Sequence, residues 1–237
     1  GGILNIEGYS HASYTSYING GLTNQGTINL NKYGVYNGRG RLNVEGGLFL
    51  SNGSSLFVSE NNTLTVDGDF AMGLTNEADF DWGANSELVL TGGVGAGGSV
   101  GSIWDDWAYF EIGGSDFGDD PGTHQGDPNG FSDNFDLVEL VIGEGARVYL
   151  GDYLDNGNRG GEYAYDEALY VDTLVLSSDS ILNLNGLHLY YNELVGDISR
   201  IIDEEVPHSE QVPLPPAMLL FGSGLLGLAG LRKRFKN

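Results

Sequence analysis

The feature that most constrains the fold of this chain is a short phrase of alternating apolar and polar residues that recurs along it. The phrase takes the forms ILNIEG (3–8), RLNVEG (41–46), TLTVDG (63–68) and ILNLNG (181–186). Alternation over a few residues that stops at glycine, asparagine or an acidic residue is typical of a half-buried β-strand. The sequence therefore predicts an all-β chain of many short strands.

The spacing of these phrases predicts how the strands are arranged. Equivalent apolar positions recur after 24, 22 and 24 residues, in the pairs Leu4 and Ile28, Leu42 and Leu64, and Leu64 and Leu88. Leu48 and Leu56 fall inside the second interval, which indicates three short strands in each turn of a coil. One turn cannot bury its own apolar row, whereas stacked turns bury a continuous one. We therefore predict a parallel β-solenoid, a right-handed β-helix, over residues 1–198.

One interval does not fit this arrangement. Ile28 and Leu42 are 14 residues apart, which corresponds to no whole turn. Short strands with frequent turn signals are also typical of a Greek-key sandwich, which is the alternative architecture. Hairpin connections of the Asn-Gly type are few between adjacent strands, and this favours the solenoid.

A glycine- and aspartate-rich stretch, residues 92–136, interrupts the strand pattern. We expect one aromatic strand near Trp107–Ile112 and a long acidic loop after it. Strand patterns resume at residues 136–143, 146–151 and 169–191. Long loops that project from a regular scaffold commonly carry function, so the chemistry of the chain is expected there.

The charge of the chain limits its partners. All 33 acidic residues precede Val212, and the whole chain has only 10 Lys and Arg. Nucleic-acid binding depends on cationic side chains that displace counterions from phosphates, so no nucleic-acid partner is predicted. The chain has no cysteine, which excludes disulfides, thiolate metal sites and cysteine nucleophiles.

Carboxylates are the remaining candidates for catalysis. Adjacent pairs occur at Asp105–Asp106 and Asp119–Asp120, and paired carboxylates can hydrolyse glycosides when their environments separate their pKa values. Such pairs are expected by chance in so acidic a chain, and we predict that the protein is not an enzyme. The alternative is a polysaccharide-active β-helix hydrolase that uses aspartates of residues 105–133.

Calcium is the metal that the acidic loops fit best, because hard cations prefer clustered carboxylate and carbonyl oxygens. Residues 151–170 offer such oxygens, although the ligand register of an EF-hand is absent there. We therefore predict no cofactor other than a structural calcium ion, with candidate ligands Asp152, Asp155, Asn156, Asn158, Glu162 and Asp166.

The C-terminal segment, VPLPPAMLLFGSGLLGLAGLRKRFKN (212–237), differs from everything before it. Its uncharged helical part, residues 217–231, is about 22 Å long at the usual helical rise, which only marginally spans a hydrocarbon core of about 30 Å. A soluble helix would have a polar face, and this run has none. We predict one transmembrane helix over residues 217–231, stopped in the membrane by the basic cluster Arg232, Lys233, Arg234 and Lys236. The positive-inside rule then places the acidic body outside the cytoplasm.

This segment resembles the PEP-CTERM sorting signal of Gram-negative bacteria. The shared features are a proline-containing motif, here Val212, Pro213, Leu214 and Pro215 in place of Pro-Glu-Pro, then a short apolar helix and an Arg/Lys cluster. The resemblance implies recognition by an exosortase, a membrane transpeptidase, removal of the tail, and delivery to the cell surface or exopolysaccharide matrix.

The predicted organisation is therefore an exported domain (1–198), an acidic linker (199–211) and a sorting signal (212–237). Because the chain begins at Gly1 without methionine, we expect a mature product or a fragment that has lost its signal peptide. The precursor is expected in the inner membrane transiently, and the mature form at the surface or in the matrix. The predicted role is structural or adhesive, associated with biofilm and exopolysaccharide.

Overall fold

The computed structural model describes the side chains of residues 41–45, 47–92, 107–118, 127–159 and 167–204, together with the backbone of the strands between residues 3 and 40. In chain order the strands are β1 (Ile3–Gly8), β2 (Tyr14–Asn19), β3 (Leu22–Asn24), β4 (Thr27–Lys32), β5 (Gly40–Glu45), β6 (Leu48–Leu50), β7 (Ser55–Val58), β8 (Thr63–Asp67), β9 (Phe70–Met72), β10 (Phe80–Trp82), β11 (Glu87–Leu90), β12 (Ala108–Glu111), β13 (Leu137–Ile142), β14 (Arg147–Gly151), β15 (Ala168–Leu176), β16 (Ile181–Asn183), β17 (His188–Val195) and β18 (Ile201–Ile202). Short 3-10 helices lie at Glu77–Asp79, Pro128–Phe131 and Ile198–Arg200.

The strands form three sheets that the chain visits in turn. The first sheet has the order β1-β4-β7-β10, the second β2-β5-β8-β11-β13-β15-β17, and the third β3-β6-β9-β12-β14-β16-β18. Every ladder between these strands is parallel. The prediction of an all-β chain with parallel strands is therefore confirmed, and the antiparallel sandwich is wrong for the described residues.

The strand registers follow the spacing of the repeated phrase. Leu4 pairs with Ile28, Leu42 with Leu64, and Leu64 with Leu88, as the intervals predict. The interval that fitted no whole turn now has an explanation, because Ile28 and Leu42 belong to different sheets. Ile28 pairs instead with Leu56 of the next turn.

Inward-facing side chains of successive turns stack into a continuous core. In the second sheet the stack consists of leucines that are at most 1 % exposed: Leu42, Leu64, Leu88, Leu140 and Leu174. In the third sheet Phe70 stacks on Phe110 with ring centroids 5.5 Å apart. Burial of one such side chain stabilises the fold by about 1.5–3 kcal/mol, so the stacked row is the main source of stability.

Asparagines occupy the corners between strands. Asn61 and Asn85 have φ values of 61° and 56°, in the left-handed region that asparagine tolerates better than most residues. They lie one turn apart, and the Asn85 side chain donates to Asn61 Oδ1 at 3.3 Å. Equivalent corner residues, each two positions before its strand, therefore stack from one turn to the next.

The later turns depart from the three-strand pattern. After β12 the chain reaches β13 through residues 112–136, and after β14 it reaches β15 through residues 152–167. The described parts of these two connections contain no strand of the first sheet. They carry instead the polar side chains of the candidate site.

The described fold continues beyond the predicted end of the exported domain. β18 pairs with β16 within the stretch that was expected to begin the linker at residue 199. Residues Gly1–Glu204 form one compact unit, and the rest of the predicted linker and the sorting signal lie outside the described residues. The predicted membrane helix at 217–231 lies there too. No helix within the described ranges is both long and apolar enough to cross a membrane.

Candidate functional site

Three acidic side chains meet at the ends of neighbouring strands. Glu111 is the last residue of β12, Asp152 directly follows β14, and Glu167 directly precedes β15. Glu111 is in register with Gly151, the residue before Asp152. A bridge from Gly114 to the start of β15 brings Glu167 to the same place. The topology therefore gathers residues from three separate segments.

The three carboxylates are close together and shielded from solvent. One carboxylate oxygen of each residue lies within 4.8 Å of those of the other two. Glu111 is 0 % exposed and Glu167 1 % exposed, and the side chain of Asp152 is 3 % exposed. We refer to Glu111, Asp152 and Glu167 as the carboxylate cluster.

Backbone amides of the surrounding loop hold one oxygen of each carboxylate. Leu154 N donates to Glu111 Oε1 at 2.8 Å, and Asn156 N donates to Glu167 Oε1 at 2.9 Å. Glu167 N donates to Asp152 Oδ2 at 3.0 Å. These bonds fix the positions of the carboxylates and connect the loop after β14 to β12 and β15.

The second oxygens of both glutamates have no such partner. Glu111 Oε2 and Glu167 Oε2 are buried and accept no hydrogen bond from any residue that the structure describes. A buried polar atom without a partner costs about 1–3 kcal/mol, and more for a charged group. Native structures contain few such atoms, so these two require an explanation.

The charge of the cluster is only partly balanced. Arg159 binds Asp152 through Nε and Nη2, with Nη2 2.5 Å from Oδ1. Burial raises the pKa of Glu111, and the negative charges of Asp152 and Glu167 add to the effect. Burial likewise raises the pKa of Glu167, with the charge of Asp152 as the next cause. Each of the two glutamates is therefore stable at this place only when it is protonated or lies next to a cation.

The predicted calcium ligands divide into three groups. Asp152 lies in the carboxylate cluster. Asp155 accepts a hydrogen bond from Gly157 N in its own turn, and the Asn158 side chain donates to Gly113 O. The Asn156 side chain donates to Met72 O and Leu74 O, while its Oδ1 is buried and has no partner within the described ranges. Glu162 and Asp166 lie outside the described residues.

Sequence reasoning missed Glu111 altogether. It sits in a strand whose four residues are all buried, in the phrase AYFE. A carboxylate at a fully buried strand position is unusual unless it is paired, but alternation alone cannot distinguish that position from an outward one. Glu167 lay within the acidic stretch that we singled out, and it was not selected as a ligand.

A second polar site lies beside the first sheet. A cavity of about 330 Å³ is lined by four carboxylate residues and several aromatic ones: Phe57, Glu77, Ala78, Phe80, Asp81, Trp82, Phe131, Ser132, Asp133, Asn134, Phe135 and Asp136. We call it the acidic groove. Burial raises the pKa of Glu77, and the charges of Asp133 and Asp136 contribute. Asp133 and Phe135 have φ values of 52° and 53°, a strained conformation that is enriched at functional sites.

The aspartates predicted for catalysis have mixed positions. Asp133 lines the acidic groove, whereas Asp105, Asp106, Asp119 and Asp120 lie outside the described residues. Asp116, in the same stretch, is engaged by structural contacts. It accepts from Gly118 N and Tyr190 OH, both at 2.9 Å, and lies 2.6 Å from His188 Nδ1. These contacts attach the loop after β12 to β17.

The described fold is an all-β body of parallel sheets. The C-terminal segment differs from this body and is typical of a class of exported proteins. Residues 211–234 match the family model described as the PEP-CTERM protein-sorting motif, which supports a PEP-CTERM protein. Such a motif implies a membrane-anchored precursor, processing by an exosortase and export to the cell surface. The match spans Val212–Pro215 and Arg232–Arg234, and all of it lies outside the described residues. Neither a curated protein nor a solved structure gives a significant match.

Proposed function

We propose that this protein is a non-catalytic structural or adhesive component of the surface or matrix of a biofilm-forming Gram-negative bacterium. The observation that carries the proposal is the sorting motif at residues 211–234. The parallel sheets support a β-solenoid body, which we propose to be right-handed. Such a body offers flat, repetitive outer faces for contact with exopolysaccharide or neighbouring proteins.

The sorting signal acts in three parts. Val212, Pro213, Leu214 and Pro215 form the motif that the exosortase reads. Residues 217–231 hold the precursor in the inner membrane, and Arg232, Lys233, Arg234 and Lys236 stop transfer on the cytoplasmic side. A helix of this marginal length is sufficient for a temporary hold while the motif is recognised and cleaved.

The sorting step is testable in cells that contain an exosortase. Replacement of Val212–Pro215 by alanines should leave the protein cell-associated with an intact tail, detected by immunoblot and mass spectrometry of the C-terminus. The matched control is Leu214→Glu, which creates Pro-Glu-Pro at residues 213–215 and should be processed normally. Normal processing of the alanine variant would contradict the assigned role of the motif.

The matrix role requires a separate experiment. The purified protein should sediment with cells that produce exopolysaccharide and remain in the supernatant with cells of a mutant that does not produce it. Equal sedimentation with both strains would argue for a protein or lipid partner, and no sedimentation with either would contradict an adhesive role.

The acidic groove favours a second candidate function, polysaccharide hydrolysis. Glu77, Asp133 and Asp136 line one cavity, and burial raises the pKa of both Glu77 and Asp136. Carboxyl groups with raised pKa values can act as general acids.

The enzyme should then release reducing sugar from an exopolysaccharide, and Glu77→Gln and Asp133→Asn should each abolish release. If the wild type releases no reducing sugar from the matrix polysaccharide with which it sediments, the proposed hydrolase function is wrong.

A further inference from the structure

We infer that the carboxylate cluster binds a single calcium ion, with Glu111, Asp152 and Glu167 each contributing one oxygen. The inference concerns a site that the sorting signal does not involve, and it holds whether or not the proposed surface role is correct. It rests on the charge, the unpaired oxygens and the spacing of the cluster.

The charge of the cluster matches one divalent cation. Asp152 is neutralised by Arg159, which contacts both of its carboxylate oxygens. Glu111 and Glu167 remain, and as carboxylates they carry two negative charges. Both are almost completely buried, and buried charges in proteins are either paired or bound to a metal.

Two carboxylate oxygens of the cluster are available to a metal ion. Backbone amides donate to Oε1 of Glu111 and Oε1 of Glu167, while the Oε2 atoms of both residues are buried and receive no hydrogen bond from the described part of the chain. A third buried oxygen, Oδ1 of Asn156, likewise has no hydrogen-bond partner among the described residues. The backbone nitrogen of Asn156 binds Glu167, so this amide oxygen belongs to the same part of the loop. Acidity alone does not account for an unpaired neutral amide oxygen.

The spacing of the oxygens suits one central ion. Ca²⁺ is coordinated at about 2.3–2.6 Å, so two of its ligands are at most about 5 Å apart. The three carboxylate oxygens lie within 4.8 Å of one another. The cluster offers oxygen atoms and neither imidazole nor thiolate, a set that suits hard cations rather than zinc. Calcium also accepts irregular geometry more readily than magnesium does.

A calcium ion at this place would connect three turns of the body. Its ligands come from β12, from the loop after β14 and from the residue before β15. Without a cation, Glu111 and Glu167 must either repel each other as anions or retain protons. Calcium binding should therefore stabilise the fold and the loop of residues 152–159 in particular.

The experiment compares the melting temperature of the chelator-treated full chain with and without calcium chloride, and measures the stoichiometry by calorimetry. We expect an increase in Tm and saturable binding of one ion per chain in the wild type. Glu111→Gln keeps the size of the side chain and an acceptor for Leu154 N, and it should weaken calcium binding by about tenfold or more. Magnesium at equal concentration should give the smaller increase in Tm.

Asp155→Asn is the matched control, because Asp155 lies in the same loop and bonds to Gly157 rather than to the cluster. It should bind calcium as the wild type does. Glu167→Gln provides a second test if the Glu111 variant folds poorly. No calcium-dependent increase in Tm in the wild type would overturn the inference and indicate shared protons in the cluster. Equal losses in Asp155→Asn and Glu111→Gln would also overturn it, because they would indicate diffuse binding to the acidic surface.

Discussion

Asp69 ties three successive turns of the third sheet together. Its Oδ1 accepts a hydrogen bond from Tyr109 N at 2.9 Å, and its carbonyl oxygen accepts one from Leu48 N at 2.7 Å. Burial raises the pKa of Asp69 from 3.8 to about 6. The folded state therefore retains a proton that the unfolded chain releases at lower pH.

This difference predicts the pH dependence of stability at Asp69. The folded state binds a proton at Asp69 more tightly than the unfolded state does. The stabilisation that results is therefore fully present below the unfolded pKa of 3.8, and it is lost as the pH rises to about 6. Asp69→Asn keeps the acceptor for Tyr109 N and cannot ionise. At about pH 8 the variant should be more stable than the wild type, by up to about 3 kcal/mol, and at about pH 4 the two should be nearly equal. Urea denaturation at both pH values measures this, and a difference that does not change with pH would contradict the assignment.

At the residue scale the sequence predicted part of the carboxylate cluster. Asp152 was accessible to prediction because it stands in a visibly acidic stretch. Glu111 was not, because its contribution depends on the register of β12 against β14, and that register spans a connection of irregular length. Asp155 and Asn158, two other predicted ligands, make hydrogen bonds to backbone groups. Asp155 accepts from Gly157 N in its own turn, and the Asn158 side chain donates to Gly113 O in the connection after β12. Composition cannot distinguish such contacts from metal binding.

At the scale of elements, the inward row of the second sheet carries most of the stability of each strand. In β13, Leu140 lies between Leu88 and Leu174 and is 0 % exposed. Its neighbour Val141 faces the other side of the sheet and is only partly buried. Since successive residues of a strand point to opposite faces, this pair offers a test of the stack within one element.

Leu140→Ala should lower the free energy of unfolding by about 2–5 kcal/mol, because it leaves a cavity in a row that cannot collapse without moving neighbouring turns. Val141→Ala should lower it by less than about 1 kcal/mol. Chemical denaturation of both variants gives the comparison. Similar losses in the two would mean that the core does not follow the row of inward leucines.

The sequence predicted the positions and partners of the regularly spaced strands, but it did not predict how far apart the later strands lie. Inward leucines must stack, so phrases 22 or 24 residues apart predicted their partners in β5, β8 and β11. From β11 to β13 the same row advances 52 residues, from Leu88 to Leu140. A connection outside the core must only return the chain to the stack, and its length is not limited by packing. The carboxylate cluster takes Asp152 and Glu167 from these connections, and the acidic groove takes residues 131–136 from them.

At the scale of the whole molecule, the chain combines a body and a tail with different roles. The body, Gly1–Glu204, is a compact unit by its internal contacts. The C-terminal segment, residues 212–237, holds four of the ten Lys and Arg residues and none of the 33 acidic ones. This separation of charge suits a protein whose tail is recognised at a membrane and whose body is solvated outside it.

The end of the body is tested by truncation. A chain of residues 1–204 should unfold at the same temperature as the full chain, because the last described contacts of the body lie before residue 205.

A chain of residues 1–197 also loses β18, the packing of Ile201 on the core, and both bonds between Asn183 and Glu204. Asn183 is 0 % exposed, so its side-chain NH2 group would lose its acceptor at a site that water must then enter, at a cost of roughly 2 kcal/mol or more. The shorter chain should therefore melt at a lower temperature by calorimetry. If the two truncated chains melt together, residues 198–204 belong to the linker, and the boundary at residue 198 that the sequence predicted is the correct one.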